Sequence, residues 1–109
     1  VIRLTADLWV AAYLNRLRLD AIPAYVLRRG DATAGAVLVK QSTLDGRASL
    51  WQRMPNLVTG DTAWTRLAEA PEPDIDASIA RQKGFDPDLW VIEVEDRQGR
   101  HLLDDPGLA

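Results

Sequence analysis

Cysteine is absent from this chain, which excludes disulfides, thiolate catalysis and every cysteine-based zinc or iron–sulfur centre. Histidine occurs once, at position 101, so a zinc site would have to rely on carboxylates, an uncommon donor set. No metal and no cofactor are expected. Long apolar runs are also missing: nothing approaches the roughly 20 residues that cross a bilayer. The opening residues, Val1 to Asp7, lack the basic-then-apolar pattern of an export leader. No membrane association is expected, and the composition suits the cytoplasm. Positive charge is in deficit, with 13 Lys and Arg against 16 Asp and Glu and a net charge of −3. That balance opposes attraction to phosphate polymers and argues against a nucleic-acid partner.

What is present describes a globular chain. Hydrophobic residues make up 47% and charged residues 27% of the 109 positions, an ordinary composition for one domain spanning residues 1–109. Ala6, Val10, Tyr13, Leu14 and Leu17 recur at helical spacing, predicting a helix from Thr5 to about Asp20 with Thr5 as its N-cap. Pro23 ends it, and Ala24 to Arg29 reads as a strand. Ala36 to Lys40 is nearly continuous apolar sequence, the signature of a strand covered on both faces. Asp45-Gly46 marks a tight reversal into a strand at Ala48–Arg53, and a looser connection leads to a fourth at Thr62–Ala68, so a meander is expected. A second helix starts at Pro71, and Gly84 is its natural stop. Leu89 to Asp96 is a further strand, with a short one expected at His101–Leu103. The acidic tail 104–109 is expected to fray. The fold class is therefore α+β: an antiparallel or mixed sheet of about five strands with two helices packed on one face, in the order α-β-β-β-β-α-β(-β).

One stretch concentrates chemistry. Arg28-Arg29-Gly30-Asp31-Ala32-Thr33-Ala34-Gly35 puts adjacent cations, a carboxylate, a hydroxyl and two glycines in one loop between apolar runs. Arginine forks and backbone N–H groups there could hold a phosphate or carboxylate. No Gly-Lys-Ser/Thr follows and no helix opens after Gly35, so it is neither a Walker A loop nor a dinucleotide fingerprint. The plainer reading is a connecting turn whose Asp31 and Thr33 satisfy its own backbone. Glu93 and Glu95 fall on one side of their strand and could serve as acid, base or metal ligands. Ion pairing with Arg53 or Arg66 across a solvated sheet accounts for them more simply. His101 has no recognisable nucleophile or orienting acid nearby in the sequence, and the Gly-x-Ser-x-Gly elbow is absent. Trp9, Trp51, Trp64 and Trp90 all lie in expected helices or strands, so core packing is their default role, and outward exposure of any of them would mark an interface.

Three stretches carry a resemblance together: Arg3-Leu4-Thr5-Ala6, Arg28 to Ala36, and Asp88-Leu89-Trp90-Val91-Ile92-Glu93-Val94-Glu95-Asp96-Arg97. Through them the chain, from Arg3 to about Leu108, resembles an uncharacterised family of small alphaproteobacterial proteins, a domain of unknown function. The resemblance implies a bacterial cytoplasmic protein and brings no activity with it. The leading expectation is a small non-catalytic binding or regulatory module in which Arg28, Arg29, Gly30, Asp31 and Thr33 meet a small anionic ligand or a protein partner, including a second copy in a homo-oligomer. The alternative is a small enzyme acting on a phosphorylated or nucleotide substrate, with Asp31, Glu93 or Glu95 as acid, base or metal ligand.

Overall fold

A computed structural model describes residues 4–108. Arg3, one of the residues carrying the resemblance, lies outside them, as do positions 1–2 and position 109 of the acidic tail. The chain runs α1 (Ala6–Leu19), β1 (Ala24–Arg28), β2 (Val37–Ser42), β3 (Arg47–Pro55), β4 (Thr62–Pro71), α2 (Glu72–Phe85), β5 (Trp90–Glu95) and a 3-10 turn (Pro106–Leu108). The order of helix, four strands, helix and strand is the expected one, and the sheet is mixed. Gly84 lies inside α2, and His101–Leu103 is irregular chain rather than a strand.

The strand order is β1-β5-β2-β3-β4. Only β2, β3 and β4 form the meander. The expected neighbours β1 and β2 are separated by β5, which pairs antiparallel with β1 and parallel with β2. The connection from Arg29 to Ala36 therefore arches over the end at which β5 begins. β5 occupies an interior position although it is the last strand in the chain.

The two helices lie on opposite faces of the sheet, which corrects the expectation of one shared face. Trp90, Ile92 and Val94 of β5 pack with Val39 against Trp9, Val10, Tyr13 and Leu17 of α1. Val91 packs with Leu38 and Leu50 against Ile75 and Ile79 of α2. The cause is period-two geometry: Leu38-Val39 and Val91-Ile92 are consecutive apolar pairs, so each strand leaves apolar surface on both sides. A single covered face would have left one of those surfaces in water.

The tail is also corrected. Residues 104–108 dock rather than fray: Leu108 is buried, and its carbonyl accepts from Trp9 Nε1 at 3.0 Å and Trp64 Nε1 at 3.3 Å. Asp105 accepts from Arg16 Nε at 3.2 Å. Burying an apolar side chain such as Leu108 is worth roughly 1.5–3 kcal/mol, enough to hold a short segment in place.

On the α2 face the core gives way to an ion cluster. Lys40 is buried, with Nζ 2.7 Å from Asp76, 3.1 Å from Glu93 and 3.5 Å from Glu72. Burial pulls the ammonium pKa down, but bonds to Asp76 and Glu93 more than reverse this and leave it above its usual value. Burial, with the Glu93 carboxyl next, pushes Glu95 above the ordinary carboxylate range. Glu93 is thus paired with Lys40 rather than with Arg53 or Arg66. The reason is topological: β2 is the neighbour of β5, and α2 covers that face.

Removing one partner of a buried ion cluster strands the others. Lys40→Met is expected to destabilise the fold by about 3 kcal/mol at neutral pH, the low end for buried pairs because Asp76 stays half exposed. Because Lys40 holds its proton more tightly in the fold than in the unfolded chain, its contribution is complete at neutral pH and is lost only as pH rises past the usual lysine value. Urea unfolding at neutral and alkaline pH measures both, and an unchanged midpoint at neutral pH contradicts the assignment.

Candidate functional site

The loop between β1 and β2 comes first, because it was the expected site. Arg28 reaches to the far end of α2, where its guanidinium donates to the carbonyls of Lys83 at 3.3 Å, Asp86 at 3.2 Å and Pro87 at 3.0 Å. It caps carbonyls that the helix cannot satisfy itself. Arg29 lies over the Trp90 ring, 5.2 Å from the centroid. Asp31 accepts from the backbone N–H groups of Thr33 at 3.2 Å and Ala34 at 2.8 Å, a turn closed on itself. The Asp31 carbonyl accepts from Trp90 Nε1 at 2.8 Å, and its N–H donates to the Asp88 carbonyl at 3.0 Å.

The loop also caps α1. The carbonyls of Thr33 and Ala32 accept from the N–H groups of Ala6 at 3.1 Å and Asp7 at 2.9 Å. Thr5 occupies the N-cap position, but its hydroxyl donates to Asp7 Oδ1 at 2.6 Å instead of closing the helix end. That bond is the first cause of the lowered Asp7 pKa. Gly30 and Gly35 are required by close approach: a Cβ would stand 2.1 Å and 2.4 Å, respectively, from the Asp88 carbonyl oxygen. Most of the donors and acceptors that drew attention to this loop are therefore used in joining α1, α2 and β5. Asp31 does not converge with Glu93 or Glu95 either. Its carboxylate is held in the arch, whereas they lie along β5 on the side covered by α2.

What the loop does contribute is one wall of a cleft. Thr33, Ala34 and Gly35 face Trp9 at the start of α1 and Gln52, Arg53 and Trp64 at the end of the β3–β4 ribbon, around about 460 Å³. The Arg53 guanidinium lies 5.4 Å from the Trp9 ring centroid and 5.3 Å from that of Trp64, and the two indoles are 5.1 Å apart. A guanidinium stacked on indoles gains cation–π attraction and is held in a defined plane. Although the protein carries net negative charge, no carboxylate lines this cleft among the described residues. In the sequence Arg53 stood out only as a strand cation that could pair with Glu93 or Glu95. Its companions Trp9 and Trp64 are remote in sequence, and only the docked α1 brings them to it.

His101 sits on the other side of Trp64. Its ring is 4.4 Å from that of Trp51, and its Nδ1 accepts from the Leu103 N–H at 2.9 Å. Burial holds its pKa below the usual value, against a weaker opposing pull from Asp104. Among the described residues no grouping of His, Asp and Glu has the geometry of a metal site.

Comparison with known proteins gives a consistent picture. The profile of a family described as protein of unknown function (DUF1491) matches residues 4–104. The chain is similar to the crystal structure of a DUF1491 family protein from Caulobacter crescentus CB15. The two share 43% identity and a TM-score of 0.85, over 95% of this chain and 98% of that one. An NMR structure of a DUF1491 family protein from Caulobacter crescentus CB15 gives 42% identity and a TM-score of 0.82 over 97% of each chain. A solution structure from A. tumefaciens gives 29% identity and a TM-score of 0.73 over 86% of each chain. No curated protein matches the chain.

Two predictions follow from the loop and the histidine. Gly30→Ala should destabilise the fold by about 2–3 kcal/mol, because its Cβ overlaps backbone rather than a movable side chain. Gly46→Ala serves as the comparison: it meets no atoms but is strained at φ +88°, so its cost is conformational alone. Equal losses in chemical denaturation would contradict a steric role for Gly30. His101 stays neutral in the fold to a lower pH than in the unfolded chain, where its pKa is near 6.5. The unfolded state then binds more protons, so stability falls as pH drops through that value. Relative to His101→Gln, the native protein should lose stability between pH 7 and 5, and parallel curves would refute the assignment.

Proposed function

The chain belongs to the DUF1491 family, a family of unknown function, and we propose that it is a small non-catalytic binding module whose ligand seat is the cleft beside Arg53. The ligand in this reading is a small anion bearing a phosphate or carboxylate. The observation that carries it is the placement of Arg53 against Trp9 and Trp64 in the wall of a cleft that no carboxylate lines among the described residues. The size of that cleft suits a small molecule, since such sites commonly span about 300–1,000 Å³. Of the residues expected at the site, Thr33 lines the cleft, together with Ala34 and Gly35 from the same loop. Arg28, Gly30 and Asp31 serve the site indirectly, by holding the arch in place. The same reading assigns the protein to the cytoplasm, a compartment that suits a cysteine-free chain.

A second reading involves a protein partner or a second copy of the chain. It draws on Leu57 and Val58 at the β3–β4 turn, whose relative exposures are 94% and 93%. Apolar side chains standing so fully in water are interface candidates, and Met54 at the end of β3 is exposed as well.

Thermal unfolding in millimolar phosphate, sulfate or small carboxylates tests the first reading. The melting temperature should rise with anion concentration, and Arg53→Ala should abolish the rise while Arg29→Ala preserves it. Binding to the native state stabilises by mass action, so a site of useful affinity must register. Melting curves indifferent to every anion would remove the proposal.

A further inference from the structure

α1 is apolar on two sides, and the rest of the fold covers only one of them. Ala6, Trp9, Val10, Tyr13 and Leu17 are buried. On the outer side Leu8 and Leu19 are 56% and 65% exposed, with Ala11, Ala12 and Asn15 exposed between them. A helix on a domain surface normally turns one apolar stripe inward and a polar face outward. We infer that this outer stripe of α1 is the surface through which two copies of the chain pair, their helices packed antiparallel. Such pairing is independent of the anion cleft and of the exposed β3–β4 turn.

The stripe has the spacing and the shape of a helix seam. Leu8, Ala12, Asn15 and Leu19 follow at intervals of four, three and four residues, the repeat that keeps one line of side chains turned to a neighbouring helix. Large residues stand at its two ends and alanines at its middle. Antiparallel packing lays Leu8 of each copy against Leu19 of the other, and the alanines let the axes approach to about 8 Å, the near limit for packed helices. Asn15 is the polar member, and a polar residue in such a seam fixes register at some cost in stability. The docked tail does not compete for this surface, because it holds α1 through Trp9 and Arg16.

Charge selects both the partner and the direction. Asp7 and Arg18 each precede a leucine of the stripe and lie eleven residues apart, about three turns, so they share one flank of the helix. When the helices align at Leu8 and Leu19, Asp7 of one copy stands about 3 Å along the axis from Arg18 of the other. Two-fold symmetry forms that ion pair twice. Parallel packing would instead set Asp7 beside Asp7 and Arg18 beside Arg18. Both groups have capacity for the contact. Arg18 donates from Nη2 to Asn15, one of five N–H donors, and Asp7 accepts from Thr5 and Leu8 on Oδ1. A face that carries its own complement points to a second copy as its occupant. The 14 residues of α1 span about 21 Å, so the contact is small and the dimer weak and reversible.

Sedimentation equilibrium of the full chain from about 10 μM to about 1 mM, the range of weak association, tests this. The average mass should climb from the 12.1 kDa of one chain towards twice that value. Ala12→Glu, a change between two good helix formers, should raise the dissociation constant at least about tenfold and leave the circular dichroism unchanged. Arg18→Asp and Asp7→Arg should each weaken pairing about tenfold, and an equimolar mixture of these two variants should regain it, because every charge then meets its opposite. Leu57→Ser with Val58→Ser should leave the mass profile as it is. A chain that stays monomeric throughout leaves the stripe to some other helix and overturns the inference. So does a dimer that survives Ala12→Glu but is lost when the β3–β4 turn is changed. Should Ala12→Glu fail to fold, the charge variants decide: pairing indifferent to either of them, or a mixture that stays monomeric, refutes the antiparallel contact.

Discussion

The joint that the rest of the molecule depends on is the backbone lock between the β1–β2 arch and the start of β5. Trp90 donates its indole N–H to the Asp31 carbonyl and its backbone N–H to that of Ala36, while Asp31 donates to Asp88. Three hydrogen bonds between main-chain or indole groups thus fix where β5 enters the slot between β1 and β2. A sheet register cannot slip by one residue without turning every side chain to the opposite face. Here such a slip would send Trp90, Ile92 and Val94 to the α2 side and Val91 and Glu93 to the α1 side. The lock therefore selects which core each side chain joins, and Gly30 and Gly35 make it possible by leaving room for the Asp88 carbonyl.

Once β5 is seated, its two faces acquire different chemistries. Towards α1 the surface is aromatic and apolar, ending in the Trp9–Trp64 pair beneath the docked tail. Towards α2 it begins apolar at Val91 and ends in the Lys40 cluster. Both faces are closed by helices whose ends the arch satisfies, α1 through the carbonyls of residues 32 and 33 and α2 through Arg28. Because β5 is the last strand and sits inside the sheet, many of its contacts span most of the chain. Such non-local pairing slows folding, since loop entropy is lost before the contacts form. Strong local signals in α1 and in the β2–β3 hairpin offset part of that by supplying preformed pieces.

What could be read in advance follows the range of the forces involved. The helical spacing of Val10, Tyr13 and Leu17, the reversal at Asp45-Gly46 and the proline-led start of α2 are local, and each element appears where its residues indicate. The interior position of β5 is not local. Its one trace was the apolar run Val37-Leu38-Val39 at the start of β2 and the pair Val91-Ile92, which demand cover on both faces and contradict the simpler one-face packing. The tail misled for a related reason: Asp104, Asp105, Pro106 and Gly107 have the composition of a frayed end. The two indole N–H groups that donate to the Leu108 carbonyl, and the Arg16 that donates to Asp105, lie far away in sequence. The site was half legible. Thr33 and Gly35 belonged to the stretch that stood out, whereas Arg53 suggested only a cross-strand ion pair, because its place beside Trp9 and Trp64 is set by tertiary structure alone.

The density of polar groups in the arch explains why its arginines are poor candidates for ligand contact and its far wall a better one. A loop that joins two helix ends and a strand has many orphan carbonyl and N–H groups to satisfy, and burying any of them unpaired costs about 1–3 kcal/mol. Arg28 and the Asp31 carboxylate are drawn into that task because they are the nearest multivalent donor and acceptor. Stabilising the joint and holding a ligand then compete for the same atoms, and the joint acts in every folded molecule. Arg53 lies outside that joint, on the β3–β4 ribbon, where the ladder satisfies the backbone and cation–π stacking against Trp9 and Trp64 holds its guanidinium in the cleft wall.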